Sequence, residues 1–443
     1  MAGVSAVEGQ QMVGCPPCRG SVMQSNKFFS ASPHKHFSFL ILLAACMTPV
    51  TLPAQAQSFS VLYSFNGPPD AKAPDSNLLL DASGNIYGVT YGGGASYEGT
   101  AFKLSSSGKE TVLYSFLSGY GNRPDSVVQD AEGTLYGTTT YGGSYGQGAV
   151  FKLDQKGNET VLYSFRGAAK SFGFDPNGLI RDQQGNLYGT TMFGGLPGGC
   201  FGGGCGTIFK LDPAGKETVV YTFKGGTDGG YPSGPIVRDA TGNLYGETAY
   251  GGDLSCYPPY GCGTVFKLDP AGKETVFHRF TGTGGDGEHP WAGLVGDNEG
   301  NVYGATVEGG TGPNCTSAEN GCGTIFKVDK TGKETILHSF TGSGADFPPI
   351  YAALTLDEKG DIYGTTPNGG SQNCGSGCGA IFMLDPAGKE TILHEFGGGA
   401  EGANPGAGVT LDSAGNVYGT TSAGGNLSCN MGDGCGTLFK LTR

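Results

Sequence analysis

The chain has 443 residues, of which 84 are glycine and only 15% are charged, and its formal net charge is −13. Excess acid without clustered Lys and Arg excludes a nucleic-acid surface, which must neutralise phosphates. The glycines recur at fixed places rather than in tracts, which excludes a low-complexity chain and points to a turn-rich all-β protein.

Residues 1–56 read as a leader containing a signal peptide. Lys35 precedes an apolar run from Phe37 to Cys46, too short to cross a membrane as a mature helix. Ala54-Gln55-Ala56 offers the small-x-small pattern of signal peptidase, releasing a chain that begins near Gln57. Leu43-Ala44-Ala45-Cys46 is a competing lipobox that would leave Cys46 lipid-modified. Met23 is a candidate true start, because residues 1–22 fit no part of a signal. No later stretch is apolar enough to span a bilayer as a helix, so the expected location is secreted, periplasmic or cell-surface.

Ser60-Val61-Leu62-Tyr63-Ser64-Phe65 follows as a strand that stands alone. Four strand types then recur. A short apolar strand a (first copy Leu78-Leu79-Leu80) leads into strand b (Asn85-Ile86-Tyr87-Gly88-Val89-Thr90). Strand c (Thr100-Ala101-Phe102-Lys103-Leu104) and strand d (Val112-Leu113-Tyr114-Ser115-Phe116) complete the set. Aromatic and β-branched residues dominate all four, as strands require. The Tyr-Gly of strand b returns at Tyr136, Tyr188, Tyr245, Tyr303, Tyr363 and Tyr418, making seven copies. Asp-x-x-Gly turns join a to b and commonly c to d, as in Asp212-Pro213-Ala214-Gly215, because Asp bonds the turn backbone and Gly accepts positive φ. One carboxylate per turn is too few for calcium.

A four-stranded unit of ~55 residues cannot bury both of its faces alone, whereas radial stacking can. The expectation is a seven-bladed β-propeller of antiparallel blades over residues 57–443. Blades fall at about 71–116, 117–165, 166–223, 224–280, 281–340, 341–396 and 397–443. The last copy stops after strand c, at Leu441, and the lone N-terminal strand at 58–65 has the pattern of the missing d. Pairing the two closes the ring and removes two exposed edges, so a monomer is expected.

Ten cysteines remain after the leader, as Cys200/Cys205, Cys256/Cys262, Cys315/Cys322, Cys374/Cys378 and Cys429/Cys435. Each pair lies in a b–c connection, and the two shortest such connections lack one. Local disulfides explain both facts and suit an exported chain. Unequal spacing and the lack of an adjacent His disfavour zinc, and no metal or cofactor is expected.

In an up-and-down sheet the a–b and c–d turns share one face, and the b–c and d–a links share the other. The second face carries every long segment and all the cysteine pairs, so recognition is expected there. Ahead of strand a, near the central mouth, come Asp75, Ser76, Asp125 and Asn177 on one side and Trp291 and Tyr351 on the other. Polar groups beside aromatic rings suit a sugar; the competing reading is a Trp291 that only plugs the channel. His278, His338 and His394 take a strand-d place held elsewhere by Tyr, which reads as packing. His289 alone lies in a variable loop, where it is a candidate general base. No nucleophile signature or phosphate loop accompanies it.

The run Gly-Asn-Leu-Tyr-Gly-Thr-Thr at 185–191, with Gly206–Thr218, resembles the GloVer tandem repeat. That bacterial family is described as choice-of-anchor, and the resemblance covers about Val61 to Leu441. It implies an extracytoplasmic repeat protein and supplies no activity. No anchor follows Leu441, so attachment through the C-terminus is not expected. The Asp-x-x-Gly-Asn element is also similar to propeller repeats of two-component sensors. The expected function is a secreted, non-enzymatic module that binds a glycan or an envelope or extracellular protein. A polysaccharide-active lyase or hydrolase and a structural envelope component are the alternatives.

Overall fold

A computed structural model describes residues 57–443 apart from 118–120, 168–172, 197–199, 201, 314–320 and 349–351. The leader with Cys46, Ala54 and Ala56 lies outside the described residues, as do Cys315 and Tyr351. Each repeat forms one antiparallel sheet in the order a-b-c-d, giving seven blades, with strand a of the fifth split into Gly287–Pro290 and Val295–Gly296. The lone strand Ser58–Ser64 pairs with Thr437–Thr442 and supplies the outer strand of the last blade.

Residues at or just before strand a of all seven blades line one central cavity, from Asp75 in the first to Ala407 in the last. Strand a is therefore innermost and strand d forms the rim. The glycine of each Tyr-Gly pair sits opposite a strand-c phenylalanine, and a Cβ built on Gly189 would come within 2.7 Å of the Phe209 ring. The same strand-c ring takes an edge-on contact from the strand-d phenylalanine of the preceding blade, as in Phe165 on Phe209 at 5.2 Å. Phe65 of the closing strand makes this contact with Phe102, so the series continues across the junction of last and first blades.

The turn aspartates hold the plain face. Asp239 accepts the backbone N–H groups of Thr241 and Asn243 on one oxygen, and Asn243 Nδ2 and Tyr245 Oη on the other. Burial alone would raise its carboxyl, but these bonds outweigh it and hold the group at about 2. The strand-c lysine then lies over the tyrosine ring, as with Lys267 over Tyr245 at 5.4 Å.

Between blades, the strand-d Tyr or His faces strand d of the next blade, and Tyr63, Tyr221, His278, His338 and His394 also meet an acid of the following link. Tyr221 donates to Asp228 in the following link at 2.6 Å, and His338 Nε2 lies 2.9 Å from Asp346. A glutamate from strand d of the next blade faces each pair, Glu274 and Glu390 in turn, and burial followed by the nearby aspartate pushes both to about 7. At the last interface Phe59 occupies the glutamate place and stacks on His394 at 3.9 Å.

Candidate functional site

The stapled face is built from a repeated junction. Its anchor is a proline ahead of strand a, whose ring lies over the glycine that opens strand c of the blade before. A Cβ on Gly148 would come within 2.6 Å of Pro176. The residue preceding this proline has positive φ in Ala73, Arg123, Asp175, Tyr231, His289 and Asn404. Its N–H donates to the residue before that same glycine, for example His289 to Cys262 O at 2.9 Å and Tyr231 to Cys205 O at 2.9 Å.

Disulfides join Cys200–Cys205, Cys256–Cys262, Cys374–Cys378 and Cys429–Cys435 at Cα separations of 5.0–5.7 Å. Cys322 is also disulfide-bonded. Each of the four packs on a glycine of the outgoing link, Gly230, Gly282, Gly398 and Gly67 in turn. A staple thus braces its own loop and seats the next link.

The proline sets the true column at the mouth, which runs Asp75, Asp125, Asn177, Ser233, Trp291 from the first blade to the fifth. The central cavity they line measures about 390 Å³ and is completed by Ala353 and Ala407. Asp75 and Asp125 are wetted by the channel yet surrounded by the ring of blades. Desolvation raises both carboxyls, Asp125 to about 6 against the opposing Gly178 N–H. Asn177 donates to Pro232 O at 2.9 Å and Ser233 to Pro290 O at 2.9 Å, so these donors stitch the inner wall. Ser76 is buried and trades hydrogen bonds with the Val89 backbone.

Glu247 stands in strand b where most copies have Thr. It is fully buried, and Oε1 accepts the Gly293 N–H at 2.6 Å. Desolvation pushes its carboxyl to about 8, so it is protonated at neutral pH. The sequence signal was present, as Tyr-Gly-Glu-Thr among Tyr-Gly-Thr-Thr copies.

An aromatic arc borders the mouth across the third to fifth blades. Phe174 stacks on Phe193, Phe193 meets Tyr231, Tyr231 meets Tyr250, and Tyr250 contacts both His289 and Trp291. Among the described residues every exposed large apolar side chain lies on the stapled face. They include Tyr91, Tyr97, Tyr141, Tyr145, Tyr257 and Tyr260. His289 Nδ1 approaches Glu308 Oε2 at 3.4 Å and Glu288 Oε1 at 3.8 Å, which gives the loop histidine acidic neighbours that spacing alone did not reveal.

No helix among the described residues is long and apolar enough to cross a membrane. Virginiamycin B lyase from Staphylococcus aureus is similar in fold at 12% identity, covering 87% of this chain and 99% of its own, with a TM-score of 0.57. The extracellular domain of a putative one-component system from B. thetaiotaomicron matches at 13% identity and a TM-score of 0.53, over 88% of this chain and 42% of the other. These likenesses show the fold alone. No curated protein matches. The Gloeobacter/Verrucomicrobia repeat matches residues 48–173, 169–376 and 257–443, and the chain therefore belongs to that family.

Proposed function

We propose that this chain is an exported, non-enzymatic binding propeller that holds a glycan on its stapled face. The observation that carries this reading is the confinement of exposed tyrosines to that face, around a mouth that also presents Asp75, Asp125 and Trp291. A pyranose offers an apolar ring face and a rim of hydroxyls. Tyrosine and tryptophan cover the first at small entropic cost, and carboxylates accept from the second. A solvent-exposed apolar face without such acceptors would suit a protein partner better. Export is supported by the Ala54-Gln55-Ala56 site and by disulfides, which persist in oxidising compartments.

A glycan array with the purified chain tests the reading. Binding should be retained without product release, and Trp291→Ala should weaken it about tenfold or more, the loss of one well-packed aromatic anchor. A chain that binds no glycan overturns the proposal. The enzyme reading has one observation in its favour, the nearness of His289 to Glu308. Product release abolished by His289→Ala would establish it instead.

A further inference from the structure

We propose that Glu288, His289 and Glu308 form a divalent-cation site on the stapled face, with a donor set suited to Mn²⁺ or Zn²⁺. The antiparallel register sets Glu288 directly opposite Glu308. Like charges so placed destabilise a strand pair unless something positive lies between them. The Glu288 side chain is 6% exposed and that of Glu308 37%, so bulk water relieves only the second. His289 Nδ1 stands 3.8 Å from one carboxylate and 3.4 Å from the other, too far for ordinary hydrogen bonds. The three donor atoms lie within 4.8 Å of one another. An ion at about 2.1 Å from each ligand holds its ligand atoms about 3–4 Å apart, which the 3.4 and 3.8 Å separations of Nδ1 from the two carboxylates match.

The site is held by groups that do not depend on an ion. The positive-φ conformation of His289 and its N–H bond to Cys262 O belong to the repeated junction. The imidazole is flanked by the Tyr250 and Tyr257 rings at 5.0 and 5.3 Å. Nε2 is buried without a hydrogen-bond partner, so Nδ1 is the nitrogen turned to the carboxylates.

Three other clusters of similar make-up among the described residues have ordinary explanations. Cys256 and Cys262 beside Glu288 are oxidised. His278–Asp286–Glu334 and His338–Asp346–Glu390 are the inter-blade contact in which Tyr serves elsewhere, and Asp286 and Asp346 already accept from Thr281 and Thr341. Glu308 stands at a strand-b position held by Tyr141, Phe193 and Tyr250 in the three preceding blades and by Gly92, Asn368 and Ala423 in the rest, so no shared packing role accounts for its carboxylate. Its partner lies twenty residues earlier, at a spacing no metal motif prescribes, so only the register of the hairpin brings the donors together.

Titration of the purified chain with Mn²⁺, followed by electron paramagnetic resonance, tests the assignment. Mn²⁺ favours carboxylate and imidazole ligands, so the thiol of any reduced staple cysteine competes poorly for it. One Mn²⁺ should bind per chain. Glu308→Gln should weaken binding about tenfold or more, and His338→Gln should leave it unchanged. The site is refuted by no binding at roughly millimolar Mn²⁺, or by loss of the ion in His338→Gln. Wild-type affinity in a folded Glu308→Gln protein refutes it too. Should that variant not fold, His289→Gln is judged by the same criteria.

Discussion

Two sets of carboxyl groups titrate in opposite senses. The turn aspartates are held low, Asp239 at about 2, so their contribution is present above the ordinary carboxylate pKa and is lost as pH falls through the folded value. The rim glutamates are held high by burial, Glu110, Glu274 and Glu390 at about 7 and Glu334 at about 8. Their contribution is complete below the ordinary glutamate value and is lost as pH rises through 7 to 8. His338, raised with Asp346 beside it, adds to the alkaline loss. Melting temperature should therefore peak on the mildly acidic side and fall from pH 6 to pH 9, with Glu334→Gln flattening the alkaline limb. A melting temperature constant over that range would contradict this account. The repeat glycine gives a second test: Gly189→Ala drives a methyl into the Phe209 ring and should cost about 1–3 kcal/mol in denaturant unfolding. Sequence revealed that Tyr and His interchange on strand d, but not the acids they meet. Those acids come from a link and from another blade, at separations that vary from copy to copy.

The hairpin is the scale at which the sequence was most legible. Aromatic and β-branched runs, separated by Asp-x-x-Gly, specify strand, turn and register together, and the seven copies reinforce one another. The mouth column was less legible. Counting back from the turn aspartate sets Asp75 level with Pro124 and Pro176, whereas the structure aligns Asp75 with Asp125 and Asn177. The second and third blades have one residue fewer between proline and turn, and a count from one end cannot show where a residue was dropped. Cysteine pairing was legible because both partners lie in one loop. That each of the four described pairs also seats the next link was not, since it depends on glycines across the junction. A Cys200→Ser/Cys205→Ser protein should lose about 2 kcal/mol by the loop-entropy estimate. Because Gly230 loses its neighbour, the start of the following blade should also exchange its amides faster.

At the scale of the ring, closure rests on the strand Ser58–Ser64 and on Phe65, whose ring is fully buried against Phe102. Phe65→Ala should cost about 3–5 kcal/mol in denaturant unfolding, more than a surface change on the same strand. A loss below about 1 kcal/mol would mean that the junction of last and first blades holds without it.

The closing pair joins residues as far apart as Ser60 and Lys440. It is the longest loop the chain has to shut, and folding pays for it before any reward arrives. Until then the molecule carries a lone strand at one end and, at the other, a blade with an open slot shaped for it. Nothing in that complementarity requires the two to belong to the same copy. Crowded chains caught half-made have a ready route to strand exchange, in which one molecule's first strand completes its neighbour's last blade.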